Sequence, residues 1–391
     1  MLSNRISLGF AAFLLVVSAG MTAHAQDHEL AGLALFEPAD IRPYDNWAEP
    51  KQGLFFTFDG LYMHISPPAK TSIGDPNLTP TVFVGPALND SFVETNSLDT
   101  SSPSVWNWGD RMELGYIDGH QGFMFTSLET LSQTYDVTYP NAFVVFNDPA
   151  FGPEGSHYLD TVLQAAVGAV PAIIGETPVN FPRLHMQMKS RMEGAEALYI
   201  YRPSELPLGG NLEFMAGGRY LEVKDQFWVD ATGGNLTDSY WNTTSHNEIG
   251  GPELGVRWFQ PIGRFGISVD GRFTAGINAQ SVNQDGVLAA DLVAGANAAP
   301  EPTLMNAQPF THSTHWVEFS PIIELRVEAH MQLTNLIAVK AGYTGIFVNN
   351  VARAADMIDY TLPTMGITRN LDGNLQSMYT QGLTLSIEFD R

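Results

Sequence analysis

The sequence predicts an all-β protein, a transmembrane antiparallel up-and-down β-barrel of about ten to twelve strands, in a range of about eight to fourteen. Three observations predict it: an N-terminal export signal, segments that alternate apolar and polar residues, and short links that alternate with long ones. The composition agrees, because only 16% of the 391 residues are charged while 36 are Gly and 11% are aromatic. Such a composition favours strands and turns over helices.

The charge balance narrows the classes of partner. Acidic residues outnumber basic ones 42 to 19, which gives a net charge of −23. Binding to a phosphate backbone requires clustered Lys and Arg, so we expect no nucleic acid partner. The chain has no Cys, which excludes a disulfide framework and a lipoprotein anchor.

The N-terminus has the three parts of a secretory signal peptide. Arg5 provides the positive charge, residues 6–20 are apolar, and Ala23 and Ala25 are small residues at the cleavage site. The apolar run is about fifteen residues, too short for a permanent helix across a bilayer of roughly 30 Å. We therefore expect a signal peptide at 1–25, an N-terminal extension at 26–52 and the barrel at 53–391.

Three segments alternate most clearly. In the segment from Arg264 to Asn278 the apolar side chains lie on one face and the polar side chains on the other, without a slip. The segment from His315 to Leu333 does the same, although Pro321 interrupts it, and Leu383 to Phe389 alternates at the C-terminus. Seven weaker segments complete a set of ten: Leu54–Ile65, Met112–Ile117, Phe123–Tyr135, Lys189–Tyr201, Asn211–Lys224, Asn247–Phe259 and Leu336–Val348.

The links between these segments are typical of outer-membrane barrels, which have short periplasmic turns and long external loops. Short links follow the second, fourth, sixth and eighth segments, and long links follow the odd-numbered ones. An even strand count then places both termini on the short-turn side. The long link from Asp136 to Met188 either contains two further strands, such as Ala142–Phe146 and Thr161–Ile174, or folds inward as a constriction.

Aromatic residues near strand ends agree with the girdles of a membrane barrel. Phe265, Trp258, Trp316 and Phe389 are examples. The alternative is an ordinary sandwich core, because aromatics are enriched in all strands.

The polar faces supply the candidate site residues. If the apolar faces meet lipid, the charged side chains of the same strands point into the lumen and act on solutes according to their charge. Acids exceed bases among them, which predicts a mild cation preference; alternatively, these charges pair with each other and fill a closed interior. The predicted lumen-facing residues are Asp270, Arg272, Glu318, Glu324, Arg326, Glu328, Lys340 and Glu388.

We expect no catalytic residues, no metal and no cofactor. His312 and His315 are three residues apart and point to opposite faces of a strand, which disfavours a shared metal ion. Ser156, His157 and Asp160 are sequence neighbours in a loop without an oxyanion donor, so they do not indicate a triad. The Asp-Gly dipeptides at 285–286 and 372–373 are interpreted as turns.

Four stretches resemble a known family. They are NLEFMAGGRYLEV from Asn211, PELGVRWF from Pro252, FGISVDGRFTAGIN from Phe265, and the block from Phe319 to Ile358 with its GY-containing strand and VARA segment. They resemble the putative beta-barrel porin-7 family of planctomycetes, over roughly the chain from Gly53 onward. The resemblance implies an outer-membrane barrel that serves as a pore, with no catalytic residues to carry over. One departure is that Asp390 and Arg391 follow the last aromatic residue, which many barrels present to the assembly machinery at their end.

The expected function is porin-like passive diffusion of small solutes, or a structural role in the cell envelope. The expected partners are outer-membrane lipid, small solutes or ions, and the barrel-assembly machinery, and a homo-oligomer is left open. The alternative is a secreted or periplasmic soluble β-sandwich that binds a ligand. The two differ in whether the apolar faces meet lipid or a core.

Overall fold

The computed structural model describes residues 53–68, 73–74, 105–147, 176–203, 210–233, 236–291, 307–334, 336–368 and 375–390. The predicted signal peptide and N-terminal extension lie outside these ranges, as do Ser156, His157 and Asp160. Within the described ranges, no helix has the length and apolar character needed to cross a membrane.

Strands make up nearly all of the described chain. Their bounds are β1 Gly53–Ile65, β2 Trp106–Asp118, β3 Gln121–Thr130, β4 Gln133–Asn147, β5 Glu176–Tyr201, β6 Asn211–Thr232, β7 Ser239–Ile262, β8 Phe265–Thr274, β9 Ile277–Leu288, β10 Gln308–Phe319, β11 Ile322–Gln332, β12 Ile337–Ala352, β13 Ile358–Asp359, β14 Gly366–Ile367 and β15 Leu375–Asp390. A 3-10 turn at Ala354–Met357 precedes β13.

Ten of these strands close into a ring. Its order is β1, β2, β3, β5, β6, β7, β8, β11, β12 and β15, and every neighbouring pair is antiparallel. The ring closes where β1 pairs with β15, from Phe55 opposite Asp390 to Ile65 opposite Thr380. Closure pairs every backbone edge, which a barrel in lipid requires. The prediction of an antiparallel barrel is confirmed, and each of the ten predicted segments overlaps one strand of the ring.

A second sheet stands on one side of the ring. After breaks of two residues, β4, β9 and β10 continue β3, β8 and β11, and with the long strands β5, β6 and β7 they form a six-stranded projecting sheet. Pro321 lies in the break between β10 and β11, so it interrupts no ladder. At the break between β8 and β9, the Ser320 amide donates to the Gly276 carbonyl at 2.9 Å. A Cβ at Gly276 would come within 2.6 Å of the Ser320 carbonyl oxygen, so only glycine allows this approach.

The projecting sheet corrects two predictions. The link after the fifth predicted segment spans only residues 233–238, because β6 and β7 extend into the projecting sheet. Asp285 and Gly286 lie inside β9 and not in a turn. The segment Ala142–Phe146 lies in β4, so it lengthens an existing strand, whereas residues 148–175 of the same predicted loop lie outside the described ranges. In the remaining links, short turns lie at one end of the ring, the short-turn end, and long links at the other, the long-link end.

The outer face of the ring is apolar. Large side chains point outward from adjacent strands, among them Phe123, Leu254, Ile267, Ile323, Leu325, Leu383 and Leu385, and all are exposed. The charged side chains of the same strands are buried inside. This arrangement is the reverse of a soluble sandwich and matches a barrel in lipid, so the soluble alternative is wrong.

The polarity of the two faces reverses in the projecting sheet. Its outer face carries polar residues such as Thr244, Glu248 and Asp136, and its inner face carries Trp241, Phe227 and Val229. Hydrogen bonds from His185 at 2.7 Å and from Gln187 at 2.9 Å hold the pKa of Asp136 below its usual range. A polar outer face belongs in water, so the projecting sheet stands above the apolar band.

The aromatic predictions separate into two groups. Phe265, Trp258 and Phe389 are exposed on the outer face, and Phe389 stacks on Phe56 with ring centroids 6.5 Å apart. Trp316 is only 7% exposed and packs inside the projecting sheet, so its assignment to a girdle is wrong. It points to the inner face of β10, whereas its neighbours Val317 and Phe319 point outward and are exposed.

A charge placed on the apolar band should destabilise the barrel in lipid. Leu385 is 64% exposed on β15, midway between Tyr379 and Phe389. We expect Leu385→Arg to lower the free energy of unfolding in lipid vesicles by about 2–4 kcal/mol. Urea titration followed by tryptophan fluorescence measures it, with Thr138→Arg on the polar outer face of β4 as the control. Equal effects of the two variants would contradict the placement of the band.

Candidate functional site

The candidate site is the interior of the ring, where the charged side chains meet. An ion-pair layer crosses the middle of the ring and consists of Arg111, Glu113, Glu196, Arg219, Glu253, Asp270, Arg272, Glu324 and Arg326. These residues come from β2, β5, β6, β7, β8 and β11. All are buried, because alternation points their side chains inward while the intervening apolar residues point outward.

Several ion pairs of this layer join strands that are not neighbours. Arg111 on β2 and Arg219 on β6 both pair with Glu324 on β11, at 2.9 Å and 2.7 Å. Arg326 on β11 pairs with Glu113 on β2 at 2.6 Å, and β2 and β11 are separated by three strands on the shorter way around the ring. The pairs therefore bridge the interior from wall to wall.

The remaining pairs make the layer continuous. Arg272 pairs with Asp270 at 2.8 Å and with Glu196, and Arg326 also reaches Asp270 at 2.9 Å. Each of these guanidinium groups therefore contacts two carboxylates. Charges removed from water are stable only when several close partners replace the water, and Arg272 and Arg326 have such partners.

The eight residues predicted from the sequence fall in different places. Asp270, Arg272, Glu324 and Arg326 belong to the ion-pair layer. Lys340 and Glu388 pair with each other nearer the short-turn end. Glu328 lies 3.7 Å from His330, also toward that end. Glu318 lies in β10, above the ring, on the same face as the buried Trp316.

Five of the nine residues of the layer were not predicted from the sequence. Arg111, Glu113, Glu196, Arg219 and Glu253 lie on strands whose alternation is weak, because glycines such as Gly115 and Gly217 occupy some inward positions. They could have been found from their apolar neighbours, because alternate residues of a strand share one face. Leu114 and Tyr116 on β2, for example, share the outward face and fix Glu113 inward.

An apolar layer covers the ion-pair layer on the side of the long links. It comprises thirteen side chains, each at most 5% exposed, from eight of the ten ring strands. On several strands it begins two residues beyond a charged residue, as Leu221 follows Arg219 and Leu61 follows Asp59. The members are Leu61, Met63, Ile65, Leu128, Met192, Leu221, Val223, Ile249, Ile322, Ile346, Val348, Val351 and Met378.

Above the apolar layer, residues 353–368 fold as a cap against the inner face of the projecting sheet. Asn247 anchors the start of the cap, since its amide donates to the Ala352 carbonyl at 2.9 Å and accepts from the Ala352 amide at 2.8 Å. Arg353 pairs with Asp225. Tyr360 packs between Phe146 and Trp241, and burial raises the pKa of its hydroxyl.

A cavity remains at the short-turn end. The space that water molecules can occupy in it is about 80 Å³. The cavity extends from Glu113 and Lys340 to the rim at Arg264, where it is open. Ser268 hydrogen-bonds His330 at 2.8 Å in its wall. The interior is thus filled at the long-link end and hollow at the short-turn end.

The histidines considered for a metal lie elsewhere. The His312 ring lies 3.0 Å from the Thr364 carbonyl of the cap, and His315 is exposed on the other face of β10. Among the described residues, no group of three or more His, Asp and Glu side chains is arranged to hold a metal ion.

Comparison with known proteins identifies the family of the chain. The family model described as "Putative beta barrel porin-7" matches residues 179–390, from β5 to the last residue of β15. The chain belongs to this family. The resemblance predicted from the sequence is thereby confirmed, and the chain is a β-barrel of the outer-membrane type. No curated protein is similar enough to count as a match.

Several solved structures are similar at low identity. The outer membrane protease OmpT from Escherichia coli has 9% identity and a TM-score of 0.40, over 89% of this chain and 99% of that chain. A Pseudomonas aeruginosa FadL homologue has 7% identity and a TM-score of 0.23, over 87% and 90%. The Ralstonia pickettii toluene transporter TbuX has 8% identity and a TM-score of 0.18, over 88% and 90%. These values are too low for any inference about activity.

Removing Arg219 from the ion-pair layer should leave Glu253 without a cation within 4 Å among the described residues, and should take one cation from Glu196 and one from Glu324. We expect Arg219→Met to lower the free energy of unfolding in lipid vesicles by about 3–5 kcal/mol. The matched control is Arg191→Met, whose side chain is 32% exposed in its pairs with Glu129 and Glu193. There we expect a loss below about 1 kcal/mol. Similar losses in the two variants would mean that the layer is not buried.

Proposed function

We propose that this family member is a structural barrel of the outer membrane with a sealed interior, and not an open diffusion pore. The observation that carries the proposal is the apolar layer, whose thirteen buried side chains fill the ring directly above the ion-pair layer. We further propose that the chain is exported through cleavage of residues 1–25. No enzymatic activity is part of the proposal.

The physical reason lies in the cost of passing the two layers. An ion crossing the apolar layer would lose its water without gaining a polar partner, and hydrophobic constrictions exclude water as well. A solute crossing the ion-pair layer would have to separate pairs such as Arg219–Glu324, which leaves buried charges uncompensated. Both barriers act in series along one path.

The second candidate function is passive diffusion with a mild cation preference. The description of the family as a porin favours it, and so does the charge of the ion-pair layer, which contains five carboxylates and four guanidinium groups. This function would require the apolar layer and the cap to move aside.

Recordings in planar lipid bilayers distinguish the two functions. For the purified full-length protein in concentrated KCl we expect no stable conductance steps, because the apolar layer blocks the path. Steady steps in the wild-type protein would contradict the sealed barrel, and a reversal potential showing cation selectivity would then support the second candidate. Anion selectivity would contradict both.

A variant tests whether the apolar layer is the seal. Met192→Ala with Leu221→Ala removes two large side chains from it, and we expect brief, small conductance steps. The control is Leu254→Ala, a similar truncation on the outer face of β7, which should stay silent.

A further inference from the structure

The cavity at the short-turn end contains a polar group without a partner. The Asn211 side chain is only 4% exposed and lines this cavity. Within the part of the chain that the structure describes, its amide oxygen accepts no hydrogen bond. A buried amide oxygen without a partner is costly, and a hydroxyl group of a bound molecule would donate a hydrogen bond to it.

Most charges of the cavity wall are already paired, and Glu328 in the same wall lies 3.7 Å from the His330 ring. Arg202 pairs with Glu213 at 2.6 Å, Arg257 with Asp270 at 3.0 Å, and Lys340 with Glu388. A charged ligand would have to displace one partner of such a pair and leave the other uncompensated. The wall therefore favours an uncharged ligand, and Arg264 at the rim is exposed, so water screens its charge.

An aromatic surface lies directly beside the Asn211 amide. Phe259 is opposite Asn211 in the pairing of β6 with β7, and Ser268 is opposite Phe259 in the pairing of β7 with β8. The Phe259 ring lies over Gly266, where an added Cβ would come within 2.6 Å of the ring. This glycine lets the ring lie along the wall of the cavity.

We propose that this cavity binds an uncharged, hydroxyl-rich small molecule no larger than a monosaccharide. The Asn211 amide anchors the hydroxyl groups, and the Phe259 ring packs against the apolar face of the molecule. An aromatic wall with a few convergent polar groups is typical of small-molecule sites. The ligand enters the cavity from the short-turn end, so its binding does not require an open pore through the barrel.

Saturation-transfer NMR on the full-length protein in detergent tests the proposal. The probes are the neutral sugars glucose, galactose and mannose, with glucosamine and glucuronate as charged analogues of the same ring size. We expect saturation transfer to at least one neutral sugar. The charged analogues should bind at least about tenfold more weakly, because each must break an ion pair of the cavity wall. Absence of binding by every neutral sugar, or tighter binding of a charged analogue, would overturn the proposal.

Two variants locate the site. Asn211→Leu keeps the side-chain volume but removes the amide, and Phe259→Leu removes the ring; each should weaken binding about tenfold or more. Asn242→Leu on the outer face of the projecting sheet is the control and should bind as the wild type does. Retained heat-modifiable migration in SDS gels shows that each variant still forms the barrel. Unchanged affinity in a folded Asn211→Leu variant would overturn the proposal.

Discussion

The ion pairs between Arg219, Arg111 and Glu324 are the interaction on which the interior depends. They join β2, β6 and β11 across the ring, so they form only when the ring is closed in this register. A slip of one residue on any of these strands would turn a guanidinium or carboxylate toward lipid and an apolar residue inward. The cross-barrel pairs therefore fix the register of strands that share no hydrogen bonds.

The ring could be predicted from the sequence because its outer face must meet lipid. That requirement produces the alternation seen in the segment from Arg264 to Asn278, and all ten strands were predicted from it. The projecting sheet could not be predicted in the same way. Above Gly276 the outer face carries Asn283 and Asp285 and the inner face carries Val282, so the pattern resembles that of a polar loop.

The site was predictable only in part, because parity tells which face a residue lies on but not what it contacts. Asp270 and Glu324 were expected to face inward, and both are buried. That Glu324 bonds two arginines from distant strands depends on the width of the ring and the stagger of its strands, which no single segment encodes. The width and stagger of the ring also decide whether the inward charges pair with each other or act on solutes.

The two ends of the interior therefore differ in kind. Toward the long links, the cap and the apolar layer fill the space with side chains, held at the start of the cap by Asn247 and Arg353. Toward the short turns, the side chains of Ser268, Lys340 and Glu388 surround a cavity that is open at the rim. In the proposed function, the interior of the barrel is accessible from one side only.

Accessibility of a single introduced thiol tests this one-sided interior most directly. The chain has no Cys, so Ser268→Cys places one thiol in the cavity and Ser313→Cys places one on the outer face of the projecting sheet. In oriented proteoliposomes, a charged thiosulfonate reagent should modify the two variants from opposite sides of the membrane. Modification of Ser268→Cys from both sides at comparable rates would contradict a sealed interior.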